Sequence, residues 1–83
     1  MSIDVTLSDA AWEGLDANAQ ALVDHWLVPE GTRVAAGDVL ALAVLVKTTL
    51  EVTAPVPGLL EQVLVPDGET FARGQALARL WPG

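Results

Sequence analysis

Residues 22–43 read LVDHWLVPEGTRVAAGDVLALA and residues 59–80 read LLEQVLVPDGETFARGQALARL; the second stretch repeats the first at a displacement of 37 residues, without a gap. Leu22, Leu27, Val28, Pro29, Gly31, Ala35, Gly37, Leu40 and Ala41 recur as Leu59, Leu64, Val65, Pro66, Gly68, Ala72, Gly74, Leu77 and Ala78. Asp24 and Glu30 return as Glu61 and Asp67, so charge is repeated in kind. A duplication this regular implies two structurally similar halves related by a pseudo-twofold. The segment between them, VLVKTTLEVTAP, holds Lys47, the only lysine in the chain.

Outward from the repeat, short β-prone stretches alternate with turn signals, the pattern of an all-β sandwich or barrel. Ile3 to Leu7 alternates apolar and polar residues and reads as a first strand. A second runs from about Ala21 to Val28, into the turn Pro29-Glu30-Gly31. A further turn follows at Ala36-Gly37-Asp38, where glycine supplies a positive φ. Strands Val39–Leu45 and Leu50–Thr53 then flank a hairpin tip at Val46-Lys47-Thr48. Pro55 and Pro57 close the hairpin, since proline cannot donate to a ladder. The second copy predicts strand 59–65, a turn at Pro66-Asp67-Gly68, Phe71 in the place of Val34, a turn at Arg73-Gly74 and strand 76–81.

Residues 8–27 carry enough Ala, Glu, Asp, Gln and Leu for an amphipathic helix, with Ser8 or Asp9 as N-cap. Gly14 and Asn18 weaken that reading, and the twin of 22–28, Leu59–Val65, is Val/Leu-rich and bracketed by Gly58 and Pro66. Residues 8–20 are therefore expected to form a long connector with a single helical turn, presenting an exposed Trp12. Connectors of such length in a small domain are usually functional.

Eighty-three residues suit one domain with a modest core. Just over half are apolar, chiefly Val, Leu and Ala with one Phe and no Tyr, which favours a tightly packed β fold without a large cavity. With no cysteine, neither disulfides nor thiolate metal sites can form. The apolar run Val39–Val46 is too short to span a bilayer, and no basic, then apolar leader opens the chain, so a cytoplasmic location is expected. The net charge of −7, with only Arg33, Lys47, Arg73 and Arg79 as cations, would repel nucleic acid and anionic membrane. Partners with basic surfaces would be drawn in, although the same charge also serves simply to keep an apolar domain dissolved.

Little catalytic chemistry is available. His25 is the only histidine, so neither a His-based metal site nor a Ser-His-Asp set can be assembled, and it aligns with Gln62 as a polar strand position. The glycines mark turns rather than a phosphate-binding loop. What remains is Lys47. A lysine at a hairpin tip offers its amine on a stiff projection, the geometry of a group carrier in which an attached cofactor does the chemistry. By spacing alone the plainer reading, a solvated lysine that keeps a sheet edge soluble, is the stronger one. Against it stand the uniqueness of Lys47 and its place almost midway between Gly37 and Gly58, near the pseudo-symmetry axis.

The segments WLVPEGTRVAAGDVLAL (26–42), Lys47, LEVTAPVPG (50–58) and LVPDGETFARGQALA (64–78) resemble the lipoyl/biotinyl attachment domains of 2-oxo acid dehydrogenase complexes and biotin-dependent carboxylases. The resemblance implies one domain over 1–83, a flattened β-barrel or sandwich of two four-stranded antiparallel sheets (a barrel-sandwich hybrid). It makes Lys47 the residue of covalent attachment, flanked by Val46 and Thr48, with Gly37 and Gly58 in supporting turns. Trp12, Glu13 and Leu45 would meet partner enzymes. Biotinyl domains resemble Met-Lys-Met at this point, whereas here the triplet is Val46-Lys47-Thr48 and the only methionine is Met1. Lipoyl variants near Glu-Ser-Val-Lys-Thr match the triplet, with Val44-Leu45 departing from their acidic and small residues. Val44, Leu45 and Val46 would then form an apolar collar below the amine.

The cofactor so implied is lipoate, with biotin as the alternative. A lipoate ligase or lipoyl transferase would load it, and a thiamine-dependent decarboxylating dehydrogenase and an acyltransferase would use it. The chain would act as a free-standing monomeric carrier rather than an enzyme. An unmodified barrel-sandwich module for protein contacts is the reading from another class.

Overall fold

Each copy of the repeat folds as a long strand, a very short strand and another long strand. In the computed structural model, which describes residues 1–83, the first copy supplies β2 (Gln20–Trp26), β3 (Arg33–Val34) and β4 (Val39–Leu45). The second supplies β6 (Gly58–Val63), β7 (Thr70–Ala72) and β8 (Ala78–Pro82). Two strands lie outside this scheme: β1 (Ile3–Val5) and β5 (Thr48–Thr53). The sheets have strand orders β1-β8-β6-β3 and β5-β4-β2-β7, and every pairing is antiparallel.

The two orders superpose strand for strand, which makes the duplication a spatial pseudo-twofold. Each short strand crosses to the other copy: β3 pairs with β6, and β7 with β2. The correspondence extends to single hydrogen bonds. Val23 N donates to Glu69 O at 2.9 Å, and Leu60 N to Thr32 O at 2.9 Å. Trp26 N donates to the Asp67 carboxylate at 2.9 Å, and Val63 N to the Glu30 carboxylate at 2.6 Å. Two of the three strand irregularities match as well. A bulge at Asp24 shifts β2 against β4, and its twin at Glu61 shifts β6 against β8. Such a bulge twists a strand and leaves the extra residue out of the ladder, so two at equivalent places bend both sheets alike.

Eighteen buried apolar residues from both sheets make a single core, with Phe71, Leu40, Leu60, Leu77 and Leu80 among its largest side chains. No helix is long and apolar enough to cross a membrane. Observed strands fall within about two residues of those expected, apart from β3 and β7, which are too short to show any periodicity. The expected helical turn in the connector is a 3₁₀ turn over Asp9–Trp12, with the Ser8 hydroxyl accepting from Ala10 N at 3.3 Å. Trp12 corrects an expectation: it is 3% exposed, and its ring meets Phe71 edge-on at 5.9 Å. The turn tips its last side chain onto Phe71 of β7, where a large flat ring removes much apolar area from water.

Candidate functional site

The hairpin around Lys47 follows from its flanks. β4 (VLALAVL) and β5 (TTLEVT) are rich in β-branched and aliphatic residues, and they pair from Val39↔Thr53 up to Leu45↔Thr48. That closing pair leaves a two-residue turn, Val46 and Lys47; Thr48 is already the first residue of β5 rather than part of the tip. Both turn residues have positive φ, 57° at Val46 and 98° at Lys47. Left-handed backbone at both central positions matches the twist of a tight hairpin and is normally met by Asn-Gly or Asp-Gly. A β-branched valine there is strained, because its Cβ crowds the neighbouring carbonyl.

Lys47 is exposed, and neither the Arg73–Asp9 ion pair nor the His25–Asp24 hydrogen bond involves it. Its amine therefore stands in water on a paired β support. The turn at Gly37 has the positive φ expected of it, 87°, and Gly37 N donates to Ala54 O at 2.8 Å, tying the far end of β4 to that of β5. Gly58 differs from expectation. It lies buried in β6 rather than in a turn, and a Cβ there would collide with the Trp81 carbonyl of β8. Glycine is needed at this point for close strand approach, not for backbone handedness.

Beside the hairpin lies an apolar groove of about 300 Å³, lined by Ala11, Leu15, Leu45, Val46, Thr48 and Leu50. The connector forms one wall and the hairpin the other. Of the three residues expected to meet partners, the structure leaves only Glu13 exposed. Trp12 is interior, and Leu45 is 3% exposed, reaching the surface only as groove lining. The expected collar is likewise split: along β4 alternate side chains take opposite faces, so Leu45 is buried, Val44 half-buried on the other face, and only Val46, at 62%, is freely exposed.

Ala11, Leu15 and Leu50 were not among the sequence-predicted site residues. The spacing of Ala11 and Leu15 was the available signal, but a 3₁₀ turn followed by Gly14 at positive φ gives it no helical period to display. His25 lies on the surface with its Nδ1 2.7 Å from the Asp24 carboxylate, a polar strand position as expected.

Comparison with known proteins bears on what such a hairpin is for. The Biotin_lipoyl family, described as "Biotin-requiring enzyme", matches residues 14–80. No curated protein matches the chain. Among solved structures, the lipoyl domain of the 2-oxoglutarate dehydrogenase complex from Azotobacter vinelandii superposes with a TM-score of 0.76 over 98% of either chain, at 22% identity. At that identity the likeness is one of fold, and it covers both sheets. With the family match spanning both copies of the repeat and the hairpin between them, the chain belongs to the biotin/lipoyl attachment family.

Proposed function

We propose that residues 1–83 form one lipoyl carrier domain, with lipoate joined to Lys47 through an amide. The observation that carries this reading is the exposed, ion-pair-free lysine at the second position of a two-residue hairpin turn. Antiparallel pairing from Val39↔Thr53 to Leu45↔Thr48 fixes the base of the turn, so the backbone that carries the lysine is held to the sheet while its flexible side chain reaches into solvent. Loading would join the lysine nitrogen to an activated lipoyl carbonyl, with loss of the activating group and of a proton from nitrogen. The group, once bound, supplies a disulfide that can be reduced and acylated. The chain's own residues do no bond chemistry: they hold the attachment point, keep it in solvent and offer surfaces to the enzymes that use it.

The residue types present fit lipoate better than biotin. The ureido ring of biotin needs polar partners when it leaves water, and five of the six side chains beside Lys47 are apolar. The flanking Val46 and Thr48 likewise lack the methionines of the Met-Lys-Met pattern. Proposed partners are a lipoate ligase or lipoyl transferase, a thiamine-dependent decarboxylating dehydrogenase and its acyltransferase.

Co-expression with a lipoate ligase and lipoate, followed by intact-mass measurement, tests the proposal. One lipoyl group per chain is expected, mapped by proteolysis to Lys47 and lost in Lys47→Arg. A signal on an avidin blot would replace lipoate by biotin. An unchanged mass with both ligases would favour a module that works through protein contacts alone.

A further inference from the structure

We infer that the groove beside the hairpin is a resting site for the lipoyl chain carried by this domain's own Lys47. The inference rests on the lipoyl reading above and adds a place for the arm to lie between transfers. Val46 and Thr48, the residues on either side of Lys47, both line the groove. Anything joined to the lysine therefore starts at its rim. The volume of about 300 Å³ lies at the small end of ligand pockets, suited to a short chain and ring rather than a larger ligand. Its lining is apolar apart from Thr48, matching an uncharged chain of methylenes that ends in a disulfide ring.

Two independent features of the fold point the same way. The first is Val46. It carries a left-handed backbone that Asn or Gly would adopt more easily, and it exposes 62% of an apolar side chain. Both costs fall on one residue, and a role as groove wall accounts for both. The second is a break in the twofold. The connector between β1 and β2 spans residues 6–19, whereas its symmetry counterpart between β5 and β6 spans only 54–57. The extra length supplies Ala11 and Leu15, so the groove is built at the Lys47 hairpin and has no equivalent in the other half.

Each methylene moved out of water favours the docked arm by about fourfold, set against the torsional freedom it loses. The arm should rest in the groove yet leave it readily when a partner binds. The test uses lipoylated protein whose mass confirms the modification, with methyl NMR of Leu15, Val46, Leu45 and Leu50. Docking predicts shifted methyl signals relative to unmodified protein and NOEs from ring protons to Leu15 and Leu50. It also predicts that Leu15→Asp, a change at a residue already 36% exposed, removes the NOEs to Leu50 and speeds reduction of the disulfide by a small phosphine by about fivefold. A confirmed lipoyl protein with unshifted methyls and no such NOEs overturns the inference and leaves the carrier reading standing. Failure to gain the lipoyl mass overturns the carrier reading itself.

Discussion

At the scale of single residues, two tryptophans make opposite demands on the same ring nitrogen. Trp26 Nε1 donates to Val65 O at 2.8 Å, whereas the buried Trp12 Nε1 has no partner. A buried donor left unpaired costs about 1–3 kcal/mol, so Trp12 packs well but pays for its nitrogen. Trp12→Phe removes that penalty along with some area, and its net cost is expected to stay within about 1 kcal/mol. Trp26→Phe deprives the Val65 carbonyl of its donor and is expected to cost about 2 kcal/mol, although Trp26 is the less buried ring. Urea unfolding of the two variants ranks them, and a costlier Trp12→Phe would contradict the assignment. Val46 yields a prediction of the other sign. Val46→Asn relieves the left-handed strain and should stabilise the domain by about 1 kcal/mol, raising Tm by roughly 4–8 °C. An unchanged or lower Tm would mean that the turn is not held in that conformation.

At the scale of elements, the repeat acts through turn carboxylates. Glu30 accepts from Val63 N and Asp67 from Trp26 N, each tying a proline-initiated turn of one copy to the strand just past the bulge in the other. A backbone N–H bonded to a carboxylate contributes more than a neutral pair, although both sites are exposed. Glu30→Ala and Asp67→Ala should each cost about 1 kcal/mol, equal within roughly 0.5 kcal/mol, by chemical denaturation. A loss at one site only would show that the symmetry of sequence is not a symmetry of energy. These turns were legible because Pro-x-Gly recurs at a fixed displacement. So were the long strands, the hairpin and Gly37. The short strands β3 and β7 were not: a run of two or three residues carries no alternation, and what places them is pairing with the opposite copy. Gly58 was misread for a related reason, since a glycine after two prolines looks like a turn until the neighbouring strand is seen above it. Trp12 was misplaced because nothing in the connector around it reveals that Phe71 lies within reach.

At the scale of the whole molecule, the twofold relates residues 1 and 83 to the Lys47 hairpin. β1 pairs with β8 through Ile3↔Leu80, and continuing that register outward sets Met1 opposite Pro82. β5 pairs with β4 through Ala43↔Leu50 and Leu45↔Thr48. The displacement of 37 residues carries Ala43 onto Leu80 and Leu45 onto Pro82, so Met1 stands where Thr48 stands in the other sheet. The break between residue 83 and residue 1 is thus the counterpart of the Val46-Lys47 turn, with Gly83 in the position of Val46. One inserted residue would complete a two-residue hairpin there, and Gly-Asn suits it because both positions accept positive φ. A permuted chain running from Ala17 to Gly83, then Asn, then Met1 to Asp16, opens the molecule in the exposed part of the connector. It sacrifices the local turn in which Asn18 N bonds the Asp16 carboxylate at 2.8 Å. Chains whose ends lie close together tolerate such rewiring when the new opening is on the surface. The permutant should keep the circular dichroism of the parent and a Tm within about 8 °C of it, the equivalent of roughly 1 kcal/mol. If it fails to fold while a control cut at the same point, without the new junction, retains structure, then the ends are not paired across a hairpin gap and the twofold stops short of β1.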